Sequence, residues 1–478
     1  MSDTIAIALS FILFLLLFVG VGIYSSSLQK NTTTDYLLAN RDVNPWMTAL
    51  SAFATAHSGG MFISTIGWTY QVGISSVWLL VGWFLGDYLA WFWVHRPLRE
   101  ISAAQSCETI GEFLAWDNQN KGIAKVSAII TIAFLGAYAA AQLLAGSKAL
   151  YTMFGWNYSW GIVLGAIIVV TYCFSGGIRA SIWTDVVQSV LMMVAMIILV
   201  AVAISACGGM SGMWQQLAAI DPSLIDPIPQ GLKFGFGLFL LSWLVAGLGV
   251  VGQPHIMVRA MVIDRASNMG ITRNVYALAY IIFSTAAVIA GLSARVLLPN
   301  LINNGDPELA LPQMAVQLLP AILVGVILAG IFAAVISTAD SQILACSAAL
   351  TQDLFPGMGR SYKSVKIGTL IVTAIVLAIA LSSNKNMFAL GVFAWSALAA
   401  GLAPILILRV KKLPVSSGVG ITMMLVGVAT AAIWNGVLGL SGSIYEVLPG
   451  MLASFLVYGI ARFKSNKLVI SDSRARNK

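Results

Sequence analysis

The sequence predicts an all-α polytopic membrane protein with about thirteen transmembrane helices, and three observations carry that prediction. Of 478 residues, 59% are hydrophobic and only 9% are charged, with a mean hydropathy of +0.89. A water-soluble globule of this length carries far more charge on its surface. Apolar runs of about 20 residues, the length needed to cross a bilayer, recur from one end of the chain to the other. The basic residues gather in alternate connections between those runs. The formal charge of +8 therefore has a topological origin, and no nucleic-acid partner is implied.

The runs fall near residues 4–24, 44–71, 74–95, 124–153, 159–178, 182–206, 231–253, 274–298, 313–350, 366–382, 387–408, 416–434 and 442–461. The first, Ile5 to Ile23, lacks a basic leader and a small-residue cleavage site, so it reads as a retained helix. An odd number of spans puts the termini on opposite faces. With the N-terminus outside, all of the 26 Lys and Arg except Lys148, Lys233, Arg295 and Lys385 fall on the cytoplasmic side, as the positive-inside rule requires. The expectation is a multi-pass membrane protein forming one domain over residues 1–478 with a short cytoplasmic tail at 462–478. The external stretch Asp221 to Pro229 holds three prolines and cannot be a regular helix. Cys107, Cys173, Cys207 and Cys346 are scattered without metal-type spacing and imply no disulfide framework.

Two of the runs are interrupted. The second contains Ser51-Ala-Phe-Ala-Thr-Ala-His-Ser-Gly-Gly60, and the seventh contains Ala246-Gly-Leu-Gly249 followed by Gly252-Gln-Pro-His255. Five spans separate them, the spacing expected of two inverted repeats of five helices at about 44–206 and 231–408. Paired broken helices in matching positions point to a transporter's binding site, although glycine and proline are also common in ordinary membrane helices.

The ninth run carries the polar face on which a coupling ion would depend. Ala334, Ser337, Thr338 and Ser341 stand at i, i+3, i+4 and i+7 and share one side of a helix. A face of small residues and hydroxyls serves equally for helix packing and for replacing the water around a sodium ion. Asp340 beside it favours function, because a carboxylate inside a membrane is costly and marks an ion or proton path. On the sixth run Ser181, Asp185, Gln188 and Ser189 form a second polar stripe at i, i+4, i+7 and i+8. Asp185 reads either as a capping carboxylate or as a partner of Asp340, in which case one of the two would hold a proton or a second cation.

Taken together, Tyr36-Leu-Leu-Ala-Asn-Arg41, Ser175-Gly-Gly-Ile-Arg-Ala-Ser-Ile-Trp-Thr-Asp185, Gly252-Gln-Pro-His-Ile256 and Ser337-Thr-Ala-Asp-Ser-Gln-Ile-Leu344 resemble the sodium/solute symporter family, most closely its bacterial sodium/proline symporters. Gly208-Gly-Met-Ser-Gly212 and Ile220-Asp-Pro-Ser-Leu-Ile225 are similar to pantothenate symporters. The resemblance implies a LeuT-like core of inverted five-helix repeats, sodium as the coupling ion, no organic cofactor, and no obligate protein partner. It also implies a sodium site at the Ala54, His57 and Ala334 carbonyls and the Ser337 and Thr338 hydroxyls. A possible second cation or proton site would fall on Asp185, Asp340 and Ser341. Substrate contacts would come from His57, Ser58, Gly59, Gly60, Tyr138, Trp243 and Ala246.

The chain departs from the proline symporters where Asp-Met-Ser-Gly-Trp becomes Ala56-His57-Ser58-Gly59-Gly60, and where a family tryptophan becomes Ala246. The expected function is sodium-coupled import of proline or a related amino acid, the alternative being pantothenate or another small carboxylate or osmolyte. Losing two indoles should widen the pocket unless Trp243 or another aromatic fills it. A membrane enzyme would need a nucleophile or acid–base constellation, and only scattered single residues occur. A sensor would need a signalling module, for which the tail is too short. Asp87 reads as an interfacial carboxylate, and His95 and His255 as residues of cytoplasmic turns.

Overall fold

The computed structural model describes residues 3–116, 121–304, 306–382 and 387–476. The elements that matter here are α1 (Asp3–Ser26), α2 (Pro45–Ala56), α3 (Gly59–Val72), α4 (Val77–Ala90), α5 (Gly136–Phe154), α6 (Tyr158–Ala206), α7 (Gly235–Leu248), α8 (Pro254–Val262), α9 (Met269–Leu297), α10 (Ala321–Ala348), α11 (Tyr362–Ser382), α12 (Met387–Val410), α13 (Ser417–Ala432) and α14 (Val447–Arg476). Among the described residues the architecture is helical without strands, and a single isolated bridge joins Val43 to Ile263.

Among the described residues eleven helices are long and apolar enough to cross a membrane, and two of them are folded back on themselves. The 49 residues of α6 would extend about 74 Å if straight, more than twice the hydrocarbon thickness. They reverse at Gly177, whose φ of 55° and ψ of −141° are not helical. The proof of reversal is Gly22: a Cβ there would lie 2.5 Å from Tyr172 Cβ and 3.3 Å from Thr184 Cγ2. Twelve residues of unbroken helix would hold those two side chains about 18 Å apart. The run Phe62–Ala104 likewise turns at Gly73 (φ 72°), where Thr69 donates to Ser76 Oγ at 2.9 Å across the hairpin. Counting each hairpin as two passes brings the eleven to thirteen.

Both interrupted runs are broken helices. α2 is capped at its start by Asn44, whose Oδ1 accepts from Trp46 N, and stops at His57, whose backbone (φ −91°, ψ 70°) cannot continue it. Helix resumes at Gly59. In the other repeat α7 tightens into a short turn at Gly249–Gly252 and restarts as α8 at Pro254, where a missing N–H costs nothing. α10 is the central post. Some 83% of its membrane-crossing window is buried, against 22% for α1 at the periphery.

Two motifs well apart in the sequence turn out to be a single structural clamp. Asp35 accepts from Arg179 Nη2 at 2.6 Å and from Asn40, while Arg179 also reaches the Ala39 carbonyl. Tyr36 lies over the Gly177 reversal so closely that a Cβ there would stand 2.4 Å from the Tyr36 carbonyl oxygen. Arg41 ties the segment to the Ser102 and Cys107 carbonyls. These residues build the hairpin and do not face the cavity described below.

Candidate functional site

Where α2 ends, the last four carbonyls, of residues 54 to 57, have no following turn to accept from. α10 crosses at that level with its hydroxyl face turned towards them. Ser337 Oγ lies 3.1 Å from the Ala54 carbonyl and 3.2 Å from that of Ala334; Thr338 Oγ1 lies 3.2 Å from the Thr55 carbonyl and 3.0 Å from Ala334. All are fully buried or nearly so. Gly59 makes the crossing possible, since a Cβ there would sit 2.2 Å from Val335 Cγ2. The result is a cluster of uncharged oxygens. Hydroxyl hydrogens rotate, so Ser337 and Thr338 can turn lone pairs towards a cation that the carbonyls also face. The Thr55 carbonyl belongs to this cluster, although the sequence reading named Ala54 and His57.

One helical turn further along α10 the chemistry changes. Asp185 and Asp340 do share a site, with Ser341 between them, but a third charge has entered it. Arg259 of α8 is wholly buried. Its Nη2 donates to Asp185 Oδ2 at 3.1 Å, to Ser341 Oγ at 2.5 Å and to Ser181 Oγ at 2.9 Å, its Nε to Ser51 Oγ at 3.2 Å, and its Nη1 to the His255 carbonyl at 2.8 Å. Asp340 Oδ1 accepts from Ser181 and Ser341, and Asp185 Oδ2 also accepts from Ser51 at 2.6 Å. The sequence reading counted Arg259 among the cytoplasmic basic residues. It is instead the counter-ion of an intramembrane acid, and the short helix restart at Pro254 carries it there. Only the unexplained polarity of Gly252-Gln-Pro-His255 hinted at this in the sequence.

A cavity of about 220 Å³ opens beside the α2–α3 break. Ser58, Tyr138 and Trp243 line it, and Tyr138 donates to Ser58 Oγ at 3.2 Å. Trp83 and Trp395 line it too, which the sequence reading did not foresee. His57 and Ala246 are not among its lining residues. The imidazole of His57 points the other way, into a nest of Phe53, Tyr280 and Phe283 with ring centroids at 4.4, 4.8 and 5.3 Å, and its Nδ1 lies 3.0 Å from the Phe53 carbonyl. Ala246 is buried where α7 packs on α4, next to Gly247, which touches the Trp83 backbone. Gly59 faces α10, as above. Gly60 is helical, but its surroundings lie outside the described residues.

Three other polar residues are placed differently from the sequence reading. Asp87 is buried and accepts from the Tyr276 hydroxyl. His95 stacks on Trp91 at 4.1 Å, and His255 sits inside α8 with its ring edge-on to Tyr138 at 6.4 Å. Both histidines are 1% exposed and are core residues, not turn residues.

The family model "Sodium:solute symporter family" matches residues 36–427. The chain belongs to that family. Among the symporter's relatives, the "High-affinity proline transporter PutP" of Bacillus subtilis (strain 168) is 31% identical, covering 91% of this chain and 93% of the relative. The "Sodium/proline symporter" of Staphylococcus aureus (strain JH9) is 30% identical, covering 93% and 90%. In three dimensions the symporter is similar to a sodium-coupled sialic acid symporter solved in an outward-open state, with a TM-score of 0.78 at 19% identity over 94% of this chain and 97% of that one. It is also similar to the nucleobase-cation-symport-1 family transporter Mhp1 in a closed conformation, at 0.57 and 16% identity over 90% and 94%. The fold is thus the LeuT-like one, and the relatives are symporters, not enzymes.

Proposed function

We propose that this symporter couples the inward movement of one sodium ion to the uptake of a small amino acid of the proline class. The observation that carries the reading is the meeting of the Ser337 and Thr338 hydroxyls with the Ala54 and Thr55 carbonyls at the end of α2. Sodium is a hard cation that takes oxygen ligands, and an uncharged oxygen cluster in a dry interior can replace its hydration shell. Ala334 and His57 supply the remaining candidate carbonyls. Such a site spans α2 and α10, so an ion in it binds the two elements together and favours whichever conformation holds them in register. The solute then meets a formed cavity beside the same break.

The Asp185–Asp340 site takes no second sodium in this reading, because the Arg259 guanidinium already stands as the cation between the acids. Two carboxylates and one guanidinium leave one negative charge over, and in this reading a proton shared by the Asp185–Asp340 pair neutralises it. The amino-acid reading is supported by the relatives described as proline transporters. The N-terminus lies outside and the C-terminus in the cytoplasm of a bacterial plasma membrane, following the distribution of Lys and Arg.

The test is uptake of labelled proline into proteoliposomes under an imposed sodium gradient. Sodium-driven accumulation with one net positive charge moved per solute is expected at neutral pH. Accumulation that persists in potassium alone would overturn the sodium assignment.

A further inference from the structure

Resting on the transport reading above, we propose that the preferred solute carries an N-methylated, quaternary ammonium together with its carboxylate. The cavity is walled by indole and phenol rings. Trp83 lies 4.9 Å from Trp395 and 6.1 Å from Trp243, and Trp243 stacks on Tyr445 at 4.7 Å. These rings come from α4, α7, α12 and the segment leading into α14, so four separate parts of the chain converge on one aromatic wall. Among the described residues no Asp, Glu, Lys or Arg lines it.

A primary or secondary ammonium brings N–H donors that need acceptors, and burying them unpaired is costly. The cavity's serine hydroxyls each already share a bond with a protein partner, Ser58 with Tyr138, Ser64 with Glu308 and Ser76 with Thr69, so the N–H donors of such an ammonium would meet only neutral, shared acceptors among the described lining residues. A quaternary ammonium has no N–H to satisfy. It gains from the faces of aromatic rings, Trp most of all, and aromatic boxes are how such groups are recognised. The carboxylate of the same solute suits the break end of the cavity, at Ser58, where α3 begins with its positive pole.

A second observation points to a cation on independent grounds. Glu446, directly behind Tyr445, is 1% exposed. Its Oε1 lies 2.8 Å from Ser396 Oγ, which is in turn 2.9 Å from the Tyr445 hydroxyl. Its Oε2 has no hydrogen-bond partner, and no Lys or Arg forms an ion pair with it among the described residues. Asn435 Nδ2 also donates to Oε1 at 3.3 Å, so the unpaired Oε2 is a spare electronegative oxygen behind the aromatic wall, the side from which a positive group inside the cavity is favoured.

The experiment is equilibrium binding to the purified, reconstituted protein in saturating sodium. The probes are proline, N,N-dimethylproline, glycine betaine and tert-butylacetate, the last being glycine betaine with carbon in place of nitrogen. Both methylated ammonium compounds should bind about tenfold or more tighter than proline, and glycine betaine about tenfold tighter than tert-butylacetate. Trp395→Leu should erase the advantage of glycine betaine over tert-butylacetate, Trp395→Phe should keep part of it, and Glu446→Gln should reduce it. Because each variant is read as a ratio of two ligands on one preparation, a loss of folded protein does not imitate the effect. Proline binding tighter than both methylated compounds would overturn the proposal while leaving sodium-coupled amino-acid transport standing. Equal binding of glycine betaine and tert-butylacetate would reduce the box to an apolar pocket and overturn it too. No sodium-dependent binding of any probe would overturn both readings.

Discussion

Two polar clusters on one helix, a single turn apart, are built on opposite electrostatic plans. At Ser337 and Thr338, α10 meets carbonyl oxygens and hydroxyls with no formal charge. At Asp340 and Ser341, it meets Asp185 and the built-in guanidinium of Arg259. A mobile ion must leave again, so its site has to bind without trapping, and neutral oxygens on two separate elements do that. A carboxylate pair in a dry interior would hold a cation far more firmly, and here the cation it holds is covalently part of the chain. The lesson is that acidic residues inside a membrane protein need not mark the travelling ion. The less conspicuous hydroxyls can mark it instead.

The comparison breaks most severely at Arg259. Arg259→Met should abolish uptake and destabilise the protein by about 3–5 kcal/mol, the usual result of leaving a buried acid without its partner. Adding Asp185→Asn should recover part of the stability, read as the melting temperature in detergent. If Arg259→Met transported normally and carried an extra sodium per solute, the guanidinium would be a plug in an ion site and not a structural counter-ion.

Thr338→Ala removes an oxygen from the neutral cluster and should raise the sodium concentration for half-maximal uptake about tenfold, on the scale of about 1.5–3 kcal/mol for a hydrogen-bonding group facing a charge. Ser337→Ala should act in the same direction. Solute affinity measured at saturating sodium should move much less. Unchanged sodium dependence in both variants would make this face of α10 a packing surface.

A smaller effect is expected at Asp340. Asp340→Asn should leave the charge moved per solute unaltered and flatten the dependence of uptake on external pH, measured with the sodium gradient held constant. A drop in charge per solute would return the site to sodium.

The smallest is at His57. Because its ring lies among Phe53, Tyr280 and Phe283, His57→Phe should keep the order of preferred solutes and cost less than about 1.5 kcal/mol of stability. A changed order in competition assays would bring the imidazole back to the cavity.

Much of this molecule is written in its sequence because a bilayer imposes strong local rules. Span length, the placement of Lys and Arg, and the breaks at His57 and Gly252 all follow from hydropathy and backbone chemistry acting over a few residues. The hydroxyl face of α10 is legible for the same reason, since helical periodicity alone gathers Ser337, Thr338 and Ser341. What the tertiary structure decided is which way side chains point at the breaks and what comes to meet them. His57 marks a break by sequence, yet the final turn of α2 aims its ring at α9 and leaves Ser58 to the cavity. Arg259 reads as one more basic residue beside a cytoplasmic turn, yet α8 folds back through Pro254 and delivers it to an acid 74 positions away in the chain. Trp83, Trp395 and Tyr445 look like lipid-facing aromatics until three helices bring them together with Trp243. No local pattern encodes such meetings, because each depends on the packing of elements far apart in the chain.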